Sequence, residues 1–308
     1  MLQRNSVNRR LRRAGRRVIT VPMFEQQLTI VRQELVPKLR SALPTVPPLP
    51  GLLGRAALKR DSYQLGDPLP ALRNELSGVQ IDREHLARYR KLCGYSRAPR
   101  LAITYPALLA FAPTLRLMLD PQLPLPVMGQ VHLRNRIELL AEFDLAAPLH
   151  VVVSVGDYRL TAYGLEWQLN SELLVDDAPV WRATATSLHR CATGIARSRE
   201  RTAKQPFDDY PVRQQLVLPA ELGRRYARVS GDFNPIHLAD MTAGMFGFKQ
   251  AIIHGMWSKA RALAALEADL PTAGYAVDVE FMRPITLPST VELGISAVDV
   301  DQPQLARF

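Results

Sequence analysis

Between Tyr226 and Met256 the chain reads YARVSGDFNPIHLADMTAGMFGFKQAIIHGM. The stretch holds a carboxylate, Asp232, an imidazole five residues later, His237, and Asn234 between them. Gly231, Gly244, Gly247 and Gly255 fall within it and Gly223 just before. Ser230, Gly231, Asp232, Asn234 and Pro235 are turn formers, supplying positive φ, a fixed φ or a side-chain bond to the backbone. A bend there brings Asp232 and His237 close enough to hold one water molecule between them, as general acid/base chemistry requires. Gly255 then opens an apolar periodic run through Met256, Ala260, Leu263 and Ala264. The N–H groups near His254 to Met256 are therefore expected at a helix N-terminus, where negative charge developing on a carbonyl oxygen is stabilised. The same residues admit a plainer assignment, in which SGD and NP are ordinary turn vocabulary and Asp232 caps a helix starting near Ile236.

The string as a whole resembles the signature of the MaoC-like, or R-specific enoyl-CoA hydratase, family. Tyr226, Ser230, Gly231, Asp232, Asn234, Pro235, Ile236, His237 and Ala243 fill its positions, and Gly247-Phe248 and Ile253 to Met256 extend the match. The resemblance implies an α+β double hot dog fold, bent antiparallel sheets each wrapped around a central helix, with a degenerate first copy and a catalytic second. It implies reversible hydration of a trans-2-enoyl-CoA, or dehydration of an R-3-hydroxyacyl thioester, in fatty-acid metabolism. Asp232 and His237 would position the water, and the Gly255 N–H would polarise the thioester oxygen. Ser230, Asn234 and His254 would support them, although Asn234 serves equally well as a plain turn residue. Phe248, Lys249 and Arg283 would meet the substrate, the two cations near the coenzyme A phosphates; exposed surface charges are the alternative for both. No metal or redox cofactor is expected, since HExxH, CxxC, GxGxxG and the P-loop are all missing. Coenzyme A or an acyl carrier protein enters only as part of the thioester substrate. The rival from another class is a non-catalytic acyl-CoA-binding or scaffolding hot dog protein.

The elements that must hold these residues follow from periodicity. Val212 to Leu218 reads as a strand, Pro219 to Val229 as a helix, Met256 to Ala268 as a second helix, and Tyr275 to Met282 and Thr290 to Val298 as strands. Upstream, Asp82 caps a helix through Leu92 that ends at Gly94, and an apolar helix spans Pro106 to Leu119. Four antiparallel strands are expected at Val127 to Leu140, Leu149 to Val155, Arg159 to Leu174 and Val180 to Leu188. YRKLCGY, from Tyr89, aligns with YARVSGD, from Tyr226, so one fold is used twice. In the first copy Tyr95 stands in the place of Asp232, and no histidine answers His237. Only 11 residues separate Gly94 from Tyr105, against 23 between Gly231 and His254; the resemblance to double-length members of the family implies that such a shortened first copy leaves room for a long acyl chain. The second copy has two strands after its helix where the first has four, so the chain is expected to be truncated or completed from elsewhere.

Of the net charge of +10, seven units are the arginines within residues 1–18, which leaves +3 for the other 290 residues. The charge belongs to a tail, so a nucleic-acid-binding face is not expected. Phe24, Leu28, Val31 and Leu35 describe an amphipathic helix, and the prolines from Pro37 to Pro50 a stiff connector. This arrangement gives residues 1–66 as tail, helix and connector, 67–193 as the degenerate half, 194–211 as a linker and 212–308 as the catalytic half. Cys93 and Cys191 suggest neither metal nor disulfide, and the longest uncharged run, Leu101 to Leu115, is too short to span a membrane. A cytoplasmic protein is expected, a pseudo-dimer within one chain and a possible homodimer.

Overall fold

The computed structural model describes residues 17–19, 39–43, 45, 49–96, 100–196 and 212–295. The expected helix from Phe24 to Leu35, most of the basic tail and most of the 194–211 linker lie outside them. In chain order the first elements are strands β1 (Arg17–Ile19) and β2 (Leu39–Ala42), helix α1 (Leu49–Leu58), strand β3 (Leu72–Val79) and helix α2 (Arg83–Cys93). Asp82 caps α2 by accepting from the Glu84 and His85 N–H groups at 2.9 and 3.0 Å, and Gly94 ends it in the left-handed conformation at φ 83°. The central helix of this half follows as α3 (Pro106–Leu109) and α4 (Phe111–Met118). Strands β4 (Val131–Leu139), β5 (Leu149–Thr161), β6 (Gly164–Val175) and β7 (Ala178–His189) follow, and α4 packs on β3 and β5.

The second half repeats the plan with strand β8 (Val212–Leu218), helix α5 (Leu222–Ser230), a 3-10 turn at Pro235–His237, helix α6 (Asp240–Gly244), the central helix α7 (Gly255–Ala265), and strands β9 (Tyr275–Glu280) and β10 (Ser289–Gly294). β8 pairs antiparallel with β10 as β3 does with β5, which is the duplication that YRKLCGY and YARVSGD announce. The halves join where β4 and β9 run antiparallel, from Arg134 opposite Glu280 to Leu139 opposite Tyr275. One sheet of order β1-β9-β4-β7-β6-β5-β3-β2 results, with both outer pairs parallel. A single buried cluster draws on both halves, from Leu76, Leu117 and Trp181 to Tyr226, Trp257 and Val277.

Among the polar contacts across the join, two are buried. Lys259, on α7, is fully buried, and its Nζ meets the Asn135 carbonyl, the Asn135 Oδ1 and the Val277 carbonyl at 2.9, 2.8 and 3.1 Å. An ammonium has three donors, so each finds an acceptor, and α7 is tied to both strands of the seam. Past the end of α7, Glu267 pairs with Arg90 of α2 at 2.6 Å and accepts from the Ser96 N–H at 2.9 Å, with both charged side chains nearly covered. Removing either partner would strand a buried charge.

Three local expectations change. The sequence suggests a break near Gly156-Asp157, but β5 runs through it with a register shift between Val155 and Tyr158, and the chain turns only before Gly164. A Cβ on Gly156 would lie 2.5 Å from Asn170 Nδ2, so the glycine serves close cross-strand approach, not a turn. The proline connector is folded in its described parts: β2 pairs with β3, and α1 begins at Leu49 with Pro50 in its first turn. LPGLLGRAAL carries two glycines and is too short to be helical alone; it is held by Leu52 and Ala56 packing on Ala112 and Leu115 of α4 and on Leu119 at its end. The strand Leu72–Val79 is also additional to the expected elements.

Candidate active site

Helix α5 delivers the chain to the turn. It ends at Gly231, φ 79°, where a Cβ would sit 2.6 Å from Leu49 Cδ1 and 3.5 Å from the Phe111 ring. Glycine is needed there for its φ, and the first half packs apolar side chains directly on the turn. Beyond it, the Asp232 N–H meets Ser230 Oγ at 3.2 Å, and the Asn234 N–H donates to Asp232 Oδ1 at 3.1 Å. Asn234 Oδ1 accepts from the Ile236 N–H at 3.4 Å and caps the 3-10 turn that presents His237. Asp232 therefore does not cap a helix. Its carboxylate is steered by a backbone N–H and stays about one-third exposed.

His237 is buried, and its Nδ1 lies 2.8 Å from the Ile252 carbonyl oxygen. A carbonyl can only accept, so Nδ1 carries the proton and the neutral ring keeps its lone pair on Nε2. His254 is more buried still; its Nε2 donates to the Asp232 carbonyl at 2.9 Å, and its Nδ1 is covered without a partner. The two imidazoles stack with centroids 3.6 Å apart and planes 26° from parallel, and the Tyr226 ring packs on His254 at 4.8 Å. Burial is the main influence on both and disfavours their charged forms. It lowers His237 against the opposing pull of Asp232 and Ile252, and takes His254 to about 4, helped by His237. Both rings are neutral at pH 7. A carboxylate oxygen of Asp232 and one ring nitrogen from each histidine lie within 4.8 Å of one another. That span admits one water with hydrogen bonds of about 2.8 Å. Each ring spends one nitrogen on a carbonyl, His237 Nδ1 on Ile252 and His254 Nε2 on Asp232, and that His254 Nε2 also lies 3.9 Å from Asp232 Oδ2.

His254 also precedes Gly255, the first residue of α7, whose first intrahelical bonds run from the Trp257 and Ser258 N–H groups to the His254 carbonyl. The Gly255 and Met256 N–H groups are left without intrahelical acceptors, as at any helix start. One imidazole therefore couples the Asp232 turn to the helix tip. The Phe281 ring closes on that tip, 2.8 Å from where a Gly255 Cβ would stand. Phe248 is half-buried and its N–H bonds the Ala243 carbonyl, while Lys249 and Arg283 are exposed; none of the three is hydrogen-bonded or ion-paired to the Asp232 cluster. The Ile252 carbonyl, which sets the His237 tautomer, carries no side-chain signal by which the sequence could reveal it.

Residues 200–305 match the family described as MaoC like domain. Over 234 residues the chain is 30% identical to 3-hydroxyacyl-thioester dehydratase X of Mycobacterium tuberculosis (strain ATCC 25618 / H37Rv), a span of 76% of this chain and 83% of that protein. The chain belongs to the MaoC-like dehydratase family. The crystal structure of HtdX from M. tuberculosis, at 29% identity, superposes with a TM-score of 0.63 over 74% of this chain and 89% of that one. A MaoC-like dehydratase from Phytophthora capsici, at 19% identity, does so with a TM-score of 0.59 over 75% and 87%, a likeness of fold alone. The α+β double hot dog architecture expected from the motif is the one observed. Within this MaoC-like chain the first copy lacks each chemical part of the second. Tyr95 follows Gly94 where Asp232 follows Gly231, and Tyr105-Pro106 opens the central helix where His254-Gly255 does. Proline has no N–H to offer at that tip.

Proposed function

We propose that this protein catalyses the reversible interconversion of a trans-2-enoyl thioester and the R-3-hydroxyacyl thioester, as a dehydratase and hydratase of fatty-acid metabolism. The carrying observation is the convergence of the Asp232 carboxylate and the His237 imidazole beside the N-terminus of α7. In the hydration direction, water donates to the carboxylate and to His237 Nε2. His237 Nε2 takes one water proton as the oxygen attacks the β-carbon, and the electron pair of the double bond passes to the thioester oxygen. The Gly255 N–H stabilises that developing charge; removing one such donor elsewhere costs about 3 to 4 kcal/mol. The pair then returns the proton to the α-carbon, so the sum is enoyl thioester plus water. Leu49 and Phe111, packed on Gly231, give the acyl chain an apolar wall from the first half. The thioester is carried by coenzyme A or a carrier protein, and the two free cysteines suit a reducing cytoplasm.

The test follows the loss of enoyl absorbance with crotonyl- and longer trans-2-enoyl-CoAs, with chiral analysis of the product. R-3-hydroxyacyl-CoA is expected, with longer chains at least as good as crotonyl. A folded protein that binds acyl-CoA yet hydrates none of the series would instead be the non-catalytic binder.

A second expectation arises from Gly223. A Cβ there would overlap the His237 carbonyl oxygen, because α5 lies directly on the backbone of the His237 turn. Gly223→Ala must push that turn aside, and a displacement on the order of 1 Å costs about 100-fold in rate. Steady-state kinetics should show the loss mainly in kcat, with a melt showing that the protein remains folded.

A further inference from the structure

We propose that His132, on β4 of the first half, is a positioning residue whose Nε2 accepts a hydrogen bond from the amide N–H of the pantetheine arm carrying the thioester. The inference rests on the thioester reading above. The His132 ring packs against Phe281 with centroids 4.8 Å apart, and the Phe281 ring in turn closes on the Gly255 tip of α7. His132 therefore stands one ring removed from the Gly255 tip of α7, where the thioester oxygen is polarised.

Part of the residue meets solvent, but Nε2 itself is covered and has no hydrogen-bond partner. The ring is bonded to the Arg134 backbone in the sense that favours its charged form, so its other nitrogen donates to that carbonyl, and in the neutral ring Nε2 holds the lone pair. Burial and the nearby Lys259 ammonium take the imidazole to about 4, against a pull from Asp232, which keeps it neutral at pH 7 and within electrostatic reach of the Asp232 carboxylate. A covered acceptor with no donor is unfavourable, and a ligand that brings the donor relieves it. The acyl part of an enoyl thioester has none to bring: its carbonyl oxygen and sulfur only accept. The first N–H on the far side of the sulfur is the amide two carbons along the arm. With the carbonyl held by Gly255 on one side of the sulfur and that amide held by His132 on the other, the reacting carbons are fixed against the water. The half without catalytic groups thereby contributes to substrate orientation.

The experiment compares wild type, His132→Leu and His132→Gln on three trans-2-enoyl thioesters: coenzyme A, N-acetylcysteamine, which keeps the amide, and S-butyl, which has none. His132→Leu is expected to lose roughly 10- to 100-fold in kcat/KM on the first two and to match wild type on the third. His132→Gln, whose Oε1 can accept, should recover part of the loss on the amide-bearing substrates. An equal loss on all three, or no loss on any, overturns the assignment by showing a packing role or none. Wild type inactive on all three would overturn the hydratase reading itself.

Discussion

Asp232→Asn and His237→Asn should each lower kcat/KM by roughly two to four orders of magnitude, the range that a positioned acid or base contributes. Both replacements are chosen to spare the turn. Asparagine at 232 keeps an oxygen for the Asn234 N–H and loses the charge that raises His237 against the effect of burial. Asparagine at 237 places an amide N–H where His237 Nδ1–H meets the Ile252 carbonyl, and removes the Nε2 lone pair together with the ring stacked on His254. Melts should therefore move little while the rate collapses. If both groups grip one water, the double variant should be hardly worse than the worse single one, because groups that act as a unit are not additive. A double loss equal to the product of the single losses would mean two independent contributions and would break the shared-water mechanism. The wild-type acid limb of kcat/KM should fall below the ordinary imidazole range, since burial holds His237 down.

The legible part of this molecule was the part written in backbone demands. Gly94 and Gly231 both announce left-handed helix ends, and the structure places both there, at φ 83° and 79°. Asp82, with Glu84 in the first turn, marks a cap that exists. The SGDxNP string is a turn because each member has its own reason to be in one, and those reasons survive without knowledge of the partners. Hidden were features whose cause is tertiary. The helix at Leu49–Leu58 depends on α4, and the glycine at 156 reads as a turn until Asn170 is known to lie across from it. His132, His237 and His254 are indistinguishable as letters; burial and the carbonyl each one meets decide which nitrogen is free. The seam between halves could not be foreseen either, since Lys259 acquires its role only where Asn135 and Val277 surround its ammonium.

Stability should fall steeply as pH drops from 7 to 4, because the same burial that keeps the site histidines neutral must be overcome to charge them. An unfolded imidazole titrates near 6.5, whereas folded His254 and His132 titrate near 4 and His237 also lies below 6.5. Between those values the unfolded chain binds protons that the folded one does not, so stability rises with pH. The contribution is complete above 6.5 and is lost as pH falls toward the folded values. For His254 it is on the order of 3 kcal/mol, and for the half-buried His132 somewhat less after solvent screening. That is a large share of the 5 to 15 kcal/mol typical of a domain. Stacked at 3.6 Å, His237 and His254 cannot both charge without repulsion, which steepens the fall. Urea unfolding at a series of pH values should show the midpoint dropping at constant slope, and His254→Gln should flatten the dependence while keeping a donor for the Asp232 carbonyl. A midpoint that stays level from pH 7 to 5 would mean that these rings charge inside the folded protein. His237 would then carry a proton where the reaction needs a lone pair, and the acid/base assignment would fail with it.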